Sequence, residues 1–387
     1  MKSKDLLEKN KINIWPEEKI ERFRLTLLTW YDENKRDLPW RKTSNPYYVW
    51  VSEIMLQQTQ VDTVIPYYNR FIATLPTISD LAEASEETLL KLWEGLGYYS
   101  RVRNMKVAAI QIQNDFDGIF PKNHKDVLTL KGIGPYTAGA VTSIAFNQAH
   151  PAVDGNVMRV LSRLFEIDLD ISKASTRKVF EQIIRHLIDP VRPGDFNQAL
   201  MDLGATICTP KNYSPELSPI KEFNASYINE TWEQYPVKKK KTKVSEQTFY
   251  TLMIKKEDGE YLYEKRPKKG VLSGMYTPIM IEQGTLREKG WKLFNEDGSY
   301  KNSAEELEQT IEDIYNLKVR IKDQPKGIIK HVFSHLKWEM IVFEALLLED
   351  NAQIKDLKWI HKDQFDQEMF PVPTQKVNKL VDTLTLF

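Results

Sequence analysis

The chain has little cysteine, no net charge and no long apolar segment, and each shortage excludes a class of protein. Cys208 is the only cysteine among 387 residues, which excludes an internal disulfide framework and any metal site built from several thiolates. A reducing compartment such as the cytoplasm fits this usage. Lys plus Arg and Asp plus Glu both number 54, so any basic surface must be local.

No segment of the sequence predicts a membrane anchor or an export signal. The longest stretch without a charged residue runs from Gly132 to Val153, and it contains two prolines, an asparagine, a glutamine and a histidine. It therefore does not predict a transmembrane helix. The first residues, MKSKDLLEKNKINIW, lack an apolar core of signal-peptide length. We expect a cytoplasmic protein with no membrane partner.

The character of the chain changes near residue 240. With 41% apolar and 28% charged residues, two globular domains are expected. From Pro16 to about Ile207, apolar residues recur at helical spacing between Gly and Pro breaks. From Phe249 onward short β-rich runs dominate, with a hairpin signal at Asp258-Gly259, and SAEELEQTIEDIYNL predicts one helix. We predict a multidomain protein with an all-helical region over 1–225, a linker over 226–246 and an α+β domain over 247–387.

Four successive lysines lie inside the predicted linker, in YPVKKKKTKVSEQ. Such a run is most often solvated, and contact with phosphate groups is the alternative interpretation. The pattern alone leaves both open.

The stretch LTLKGIGPYTAGAV, residues 128–141, contains the first specific motif. Gly132 and Gly134 separate two predicted helices, permit positive φ values and carry no side chain. Backbone N–H groups at the start of the second helix can therefore approach a phosphate. An ordinary turn is the alternative. Leu130 before the glycines and the apolar helix after them favour a helix–hairpin–helix motif.

Two carboxylates occupy positions that allow either a structural or a chemical role. Asp154, in AVDGNVMRVLSRL, begins a predicted helix and could be only its N-cap. Glu53 has Val49, Trp50 and Leu56 one turn away on its predicted helix. It could pair with a cation, lie at the surface, or stay protonated with a raised pKa, and only the last state suits a general acid.

Five segments of the helical half carry a specific resemblance in their order and spacing. They are WRKTSNPYYVWVSEIMLQQTQVDTVIPYYNRF, LWEGLGYYSRVRN, LKGIGPYTAGAV, VDGNVMRVLSR and FNQALMDLGATICTP. Together, from about Trp40 to Pro210, they resemble the MutY adenine DNA glycosylases of the endonuclease III superfamily. The second half is similar, more weakly, to that family's Nudix-like recognition domain, with FSHLKWEM as its best marker. The resemblance implies a helix–hairpin–helix glycosylase region followed by a Nudix-like α+β domain.

The resemblance implies hydrolysis of the N-glycosidic bond of adenine mispaired with 8-oxoguanine or guanine in duplex DNA. A protonated Glu53 would donate to N7 of the extruded adenine, and an ionised Asp154 would stabilise the oxocarbenium-like sugar. Tyr136 and Asn156 would support this pair. Because bifunctional relatives have a lysine where Tyr136 stands, we expect base removal without efficient strand cleavage. A bifunctional glycosylase and a DNA-binding protein without catalysis are the alternative functions.

Further roles follow from positions in the family's motifs. The adenine pocket would be lined by Trp40, Arg41 and Gln198. Lesion and DNA recognition would involve Gln58, Thr59, Tyr98, Phe333, Ser334 and His335, and the DNA backbone would meet Gly132 and Gly134. Taken singly, Tyr98 could be an ordinary core aromatic and Gln58 a solvated helix end. The three cations of SRVRNMK, after Tyr99, predict a phosphate-facing helix.

The chain departs from the family at its cysteines. Most relatives carry four, spaced C-x6-C-x2-C-x5-C, which hold an iron–sulfur cluster. From Cys208 this spacing reaches Pro215, Ser218 and Asn224, none of which is a good iron ligand. We expect a clusterless member with no metal or cofactor. Its loop over 208–224 would be closed by apolar packing of Leu217, Ile220 and Phe223.

The predicted helix of the second half lacks the Arg-Glu start and the Gly of the R-E-x-x-E-E-x-G helix that binds metal in Nudix hydrolases. We therefore expect a lesion reader rather than a pyrophosphate hydrolase. The remaining expectations are duplex DNA containing adenine opposite 8-oxoguanine as the partner, a monomeric protein, and action at the bacterial nucleoid.

Overall fold

The structure is a computed structural model that describes residues 6–239, 244–284, 304–333, 336–351 and 356–382. These residues form two units, one of residues 6–92 with 100–239 and the other of residues 93–99 with 244–382. Within the described residues, no helix is both long and apolar enough to cross a membrane.

The first unit is all-helical, as the periodicity predicts. Several helices begin at side-chain caps: Asn45 caps the helix that starts at Pro46, and Thr77 forms a capping box with Asp80. In chain order the described helices are α1 Leu6–Lys9, α2 Glu17–Asn34, α3 Pro46–Leu56, α4 Val61–Thr74, α5 Ile78–Glu83, α6 Glu86–Leu92, α7 Ser100–Asp115, α8 His124–Val127, α9 Pro135–Phe146, α10 Gly155–Leu164, α11 Ala174–Leu187, α12 Pro193–Thr206 and α13 Ala225–Ile228.

One core of this unit lies between α2, α10, α11 and α12. Phe23, Phe180 and Phe196 are fully buried there, and burial of each such side chain stabilises the fold by about 1.5–3 kcal/mol. Cys208 and Phe223 belong to the same core. The loop after α12 is therefore part of the packed interior.

The second unit contains a mixed sheet, which confirms the α+β prediction. The described elements are β1 Ser245–Lys255, β2 Glu260–Lys265, β3 Tyr276–Thr277, β4 Ile279–Glu282, α14 Ala304–Tyr315, β5 Leu317–Ile321, β6 Gly327–Val332, β7 Leu336–Asp350, β8 Leu357–His361 and α15 Val372–Asp382. The strand order is β3-β2-β1-β7-β5, and β4 also pairs with β1, β6 with β7 and β8 with β2. The pair β1–β7 is parallel, and the other described pairs are antiparallel.

The central strand β1 is buried on both faces. Successive side chains of a strand point to opposite sides, so Tyr250 and Leu252 pack in the core that contains α14 side chains, and Phe249 and Met253 pack in the core that contains α15 side chains. The predicted hairpin joins β1 to β2, with Gly259 at φ +93°. Only glycine adopts this backbone conformation without strain.

Residues 226–239 of the predicted linker belong to the first unit, and some of them bond to its other residues. The amide of Ile171 donates to the carbonyl of Val237 at 3.1 Å, and the Arg163 guanidinium donates to the carbonyl of Tyr235 at 3.2 Å. Lys238 and Lys239 are exposed, and the other two lysines of the run lie outside the described residues.

Candidate active site

A cavity of about 570 Å³ lies in the first unit, and we call it the Glu53 cavity. It is bounded by α3, α9, α12 and the start of α10. The candidate site residues that line it are Trp40, Arg41, Glu53, Gln58, Thr59, Gly134, Tyr136, Asp154, Asn156 and Gln198. The structure thus brings both predicted carboxylates and the predicted adenine pocket around one space.

Glu53 lies on α3 with 6% of its surface exposed. Its Oε2 accepts a hydrogen bond from the Tyr136 hydroxyl at 2.6 Å. Burial raises the pKa of Glu53 to about 7; the Tyr136 hydroxyl lowers it, the charge of Asp154 raises it and Arg41 lowers it. Of the three states that the sequence leaves open, the structure favours the acid with a raised pKa, which is about half protonated near pH 7 and largely protonated below it.

Tyr136 reaches Glu53 from the first turn of α9. Pro135, directly before it, occupies the first helical position, where a fixed φ and a missing N–H cost nothing. Burial raises the pKa of Tyr136 well above its ordinary value, and the nearby Glu53 and Asp154 charges act in the same direction. The hydroxyl therefore stays protonated and remains a donor to Glu53.

Asp154 is the N-cap of α10, which confirms the structural interpretation. It also lines the Glu53 cavity, and its chemical role stays a prediction. Its Oδ1 accepts from the Val157 amide at 2.8 Å, and its Oδ2 accepts from Asn156 Nδ2 at 2.9 Å. Burial raises the pKa of Asp154, whereas these donors and the charge of Arg159 favour its ionised form. Because Asp154 accepts two N–H bonds at the positive end of a helix and Glu53 accepts one O–H bond, Asp154 ionises first.

A chain of hydrogen bonds continues from Asp154 to the loop after α12. Asn156 Oδ1 accepts from Arg159 Nη2 at 2.8 Å, and the same guanidinium donates to the carbonyls of Gly204 at 2.6 Å and Cys208 at 2.7 Å. A Cβ at position 204 would lie 2.7 Å from the Cβ of Asn156, so glycine permits this close approach of α10 and α12. Arg159 and Gly204 stand inside the motifs VDGNVMRVLSR and FNQALMDLGATICTP, but neither was predicted as a site residue.

Arg41 is held at the cavity by Asp202, a carboxylate that the sequence analysis missed. Asp202 is 1% exposed and accepts from Arg41 Nη1 at 2.6 Å, Arg41 Nη2 at 2.8 Å and Arg36 Nε at 2.9 Å. Burial raises the pKa of Asp202, but the two guanidinium groups outweigh burial and lower it. Helical spacing could have identified Asp202 from the sequence, because it follows Gln198 by four residues on α12 and so lies on the same face of that helix.

The hairpin has the geometry that its glycines predict. Gly132 has φ +80°, and a Cβ there would lie 2.8 Å from the Cβ of Asn104, so this position requires glycine. Gly134 is the N-cap residue of α9. The amide groups of the first turn of α9 follow directly, which is the arrangement that favours an anion.

The three cations of SRVRNMK each donate to the protein. Arg101 bonds to the carbonyl end of α3, Arg103 to the Glu86 carboxylate at 2.7 Å, and Lys106 to the Ala84 carbonyl at 2.6 Å. These contacts differ from the phosphate contacts that the sequence predicts for this helix.

Two of the predicted recognition residues belong to the second unit. Tyr98 has φ +47° and is 44% exposed. Phe333 packs edge-on against Trp338, with ring centres 4.9 Å apart, and against His331 at 4.6 Å. The two predicted residues after Phe333, namely Ser334 and His335, lie outside the described residues.

The loop over 208–224 is packed at each position that the cysteine spacing reaches. Cys208, Pro215, Ser218 and Asn224 are all buried. Ile220 and Phe223 join the core as predicted, but the prediction for Leu217 is wrong, since it is 72% exposed. Leu217 ends a 3-10 turn that buries Pro215, so the ring takes the inward position and the leucine side chain lies outside.

Arg163 organises the polar part of this loop. Its Nη1 donates to Cys208 Sγ at 3.1 Å and to the Thr209 carbonyl at 2.9 Å, and its guanidinium lies 4.2 Å from the centre of the Tyr213 ring. Asn224 Nδ2 donates to the Tyr213 hydroxyl at 3.0 Å. Across the described part of the chain, no three His, Cys, Asp or Glu side chains are grouped to hold a metal ion. The residues of this loop do not fit an iron–sulfur cluster.

The chain resembles known proteins in both units. Residues 51–186 match the family described as HhH-GPD superfamily base excision DNA repair protein, and residues 250–380 match the NUDIX domain family. The adenine DNA glycosylase of Schizosaccharomyces pombe is 34% identical over 406 residues, covering 90% of this chain and 86% of that protein. The adenine DNA glycosylase of Arabidopsis thaliana is 35% identical and covers 89% of this chain, which spans 60% of that protein's length. A solved structure of a thermostable thymine-DNA glycosylase covers 55% of this chain and 98% of its own, with 29% identity and a TM-score of 0.51.

Proposed function

The chain belongs to the adenine DNA glycosylases, a family of base-excision DNA repair enzymes, and from that premise we propose that it removes adenine paired with 8-oxoguanine or guanine in duplex DNA. The observation that carries the proposal is the pair of unlike carboxyl groups that line one cavity. Glu53 is buried with a pKa raised to about 7, by burial first and by the charge of Asp154 in addition. Asp154 has two N–H donors at the start of α10.

Glu53 acts as the general acid. Adenine is a poor leaving group as an anion, and protonation at N7 makes it a good one. An acid with a pKa near neutrality is protonated often enough to donate and gives up its proton readily. The Tyr136 hydroxyl, 2.6 Å from Glu53 Oε2, fixes the orientation of the carboxyl group.

Asp154 stabilises the positive charge that develops on the sugar when the base leaves. The Val157 amide and Asn156 Nδ2 keep its oxygens in place, so little reorganisation accompanies the charge. After departure of adenine, the ionised Glu53 accepts a proton from the attacking water. Two carboxyl groups in unlike environments are the arrangement that glycoside hydrolysis uses.

The enzyme is monofunctional. A lyase step needs an amine that forms a Schiff base with the sugar, and Tyr136 occupies the place where bifunctional relatives carry a lysine. Among the described residues that line the Glu53 cavity there is no lysine. Sodium borohydride should therefore trap no covalent complex with DNA, and efficient trapping would contradict this part of the proposal.

Recognition divides between the two units. Trp40, Arg41 and Gln198 receive the extruded adenine, and the hairpin amides hold the backbone. Gln58 and Tyr98 insert into the duplex near 8-oxoguanine, with Thr59 close by. The second unit also reads the 8-oxoguanine side through Phe333, Ser334 and His335. The protein acts as a monomer on one lesion pair.

The protein works without an iron–sulfur cluster. This proposal is supported by the single cysteine in the whole chain and by the packing of Pro215, Ser218 and Asn224 at the other positions that the cluster spacing reaches. Purified protein should be colourless and free of iron while it retains glycosylase activity. Stoichiometric iron in active protein would refute the proposal that the protein works without a cluster.

The decisive experiment is a single-turnover excision assay on a duplex with adenine opposite 8-oxoguanine. We expect Glu53→Gln to lower the rate by about 10²- to 10⁴-fold, because the amide cannot donate the proton. Thermal unfolding of both proteins checks that folding is intact. Equal rates for the wild type and the variant would remove Glu53 from the mechanism, and no adenine release by the wild type would refute the function.

A further inference from the structure

The segment Gln57–Thr59 has a conformation that its own sequence does not favour. α3 ends at Leu56, the chain turns at Gln57 with ψ 111°, and Gln58 has φ +58°. A left-handed conformation costs a residue with a Cβ roughly 1–2 kcal/mol, so neighbouring groups must hold it in place. The amide of Thr59 donates to the Leu56 carbonyl at 3.3 Å, which is one such restraint.

The guanidinium of Arg101 supplies a second and larger set of restraints. From the first turn of α7, its Nη1 lies 2.8 Å from the carbonyl oxygen of Ile54, 3.0 Å from that of Met55 and 2.6 Å from that of Gln57. Its Nη2 lies 3.4 Å from Thr59 Oγ1. Arg101 therefore spans the last turn of α3 and both sides of Gln58.

These contacts have a clear physical basis. The last carbonyls of a helix have no partner within the helix, and a cation at that end is stabilised by the helix dipole. Arg101 satisfies several of them with one planar group. A lysine keeps the charge and one nitrogen for the carbonyls that Nη1 contacts, but it has no second nitrogen to reach the Thr59 hydroxyl as Nη2 does.

The restrained segment also borders the reacting groups. Gln57, Gln58 and Thr59 line the Glu53 cavity, and Glu53 lies one turn before Gln57 on the same helix. A change at this helix end would thus alter both the side chains that enter the duplex and the helix that carries the acid.

We propose that Arg101 is a positioning residue that fixes Gln57–Thr59 in the conformation needed to keep adenine out of the base stack. The inference rests on the proposed function, in which Gln58 enters the duplex. It assigns to Arg101 no contact with the substrate. Its effect is on the equilibrium between stacked and extruded base.

The test measures extrusion directly, with 2-aminopurine in place of adenine opposite 8-oxoguanine. Its fluorescence rises when the base leaves the stack, and a Glu53→Gln background prevents excision. At saturating protein, Arg101→Gln should lower the extrusion equilibrium constant about 10- to 100-fold, the equivalent of a lost hydrogen bond to a charged group. Arg101→Lys should give an intermediate value. If Arg101→Gln does not fold, the lysine variant decides in its place.

Arg24 provides a matched control. Its guanidinium donates to the carbonyls of Leu187 and His186 at the end of α11, so Arg24→Gln removes the same kind of helix-end contact away from the cavity. We expect a full fluorescence rise from this variant. A full rise from the Arg101 variants, or an equal loss from Arg24→Gln, would overturn the inference. Failure of the wild type to excise adenine is a separate result, and it would refute the proposed function.

Discussion

The Glu53 cavity and the 208–224 loop lie in the same unit, yet they match the residues that the family resemblance implies to different degrees. The cavity contains the four side chains proposed for catalysis. In the loop, the implied cluster spacing meets one cysteine, and its other three positions are Pro215, Ser218 and Asn224. The two regions therefore differ in what their proposed roles require. The cavity needs particular atoms at particular distances, whereas the loop needs only to be closed.

Closure of the loop can be achieved with ordinary contacts. Phe223 packs edge-on against Phe23 at 5.4 Å, and Arg163 satisfies the Thr209 carbonyl and contacts Cys208 Sγ. Packing contacts of this kind cannot replace the proposed catalytic groups of the cavity. A proton donor with a pKa near 7 and a second, ionised carboxylate have no apolar equivalent. The hydrogen-bond chain through Arg159 connects the two regions.

After Glu53→Gln, the largest effect is expected for Asp154→Asn, which removes the stabilising charge but keeps the shape. The single-turnover rate should fall by about 10²- to 10³-fold. If protonated Glu53 is the active form, as proposed, the wild-type rate should be highest below pH 7 and fall as pH rises through about 7. The charge of Asp154 raises the pKa of Glu53, so in the variant this fall should move to lower pH.

The measurement is a pH–rate profile of the wild type and the variant. Asp32→Asn is a suitable control, because Asp32 pairs with Arg192 at 2.6 Å and does not line the Glu53 cavity. An unchanged profile in Asp154→Asn would mean that the two carboxyl groups do not interact.

A smaller and different effect is expected for Arg163→Met in the loop. The Thr209 and Tyr235 carbonyls lose a charged donor, so the free energy of unfolding should fall by about 2–4 kcal/mol. The excision rate of folded protein should stay close to that of the wild type. Urea unfolding measures the first quantity, and single-turnover kinetics at low temperature measure the second. Arg320→Gln, at an exposed pair with Glu308, should cost about 0–1 kcal/mol.

A large loss of rate in folded Arg163→Met would break the comparison between the two regions. It would indicate that the loop controls the cavity through Arg159 and does more than close the fold.

Much of this molecule follows from local sequence. Helical periodicity predicts the helical region from Pro16 to about Ile207, the Asp258-Gly259 turn joins β1 to β2, and the motifs identify residues that line the Glu53 cavity. These features depend on neighbours in the chain, or on a pattern that resembles a known family. Local physics therefore suffices to predict them.

The site residues that the sequence did not predict act through contacts with residues far away in the chain. Asp202 binds Arg41 across 161 positions, Arg159 reaches Cys208 across 49, and Arg101 reaches Gln57 across 44. A single sequence carries no direct signal for such pairs. The Leu217 error has a local cause, because the turn after Ser214 decides which of Pro215 and Leu217 faces the core.

The smallest effect is expected for Cys208→Ala, and it gives the sharpest test of the difference between the two regions. Cys208 is 3% exposed, and its sulfur accepts one hydrogen bond from Arg163, which keeps the Thr209 carbonyl as a partner. The variant should lose about 1 kcal/mol of stability in urea unfolding. Its rate and its iron content should match those of the wild type. If the Cys208 thiol bound a cofactor, the folded variant would lose both activity and bound iron. That outcome would place the loop under the same chemical constraint as the cavity.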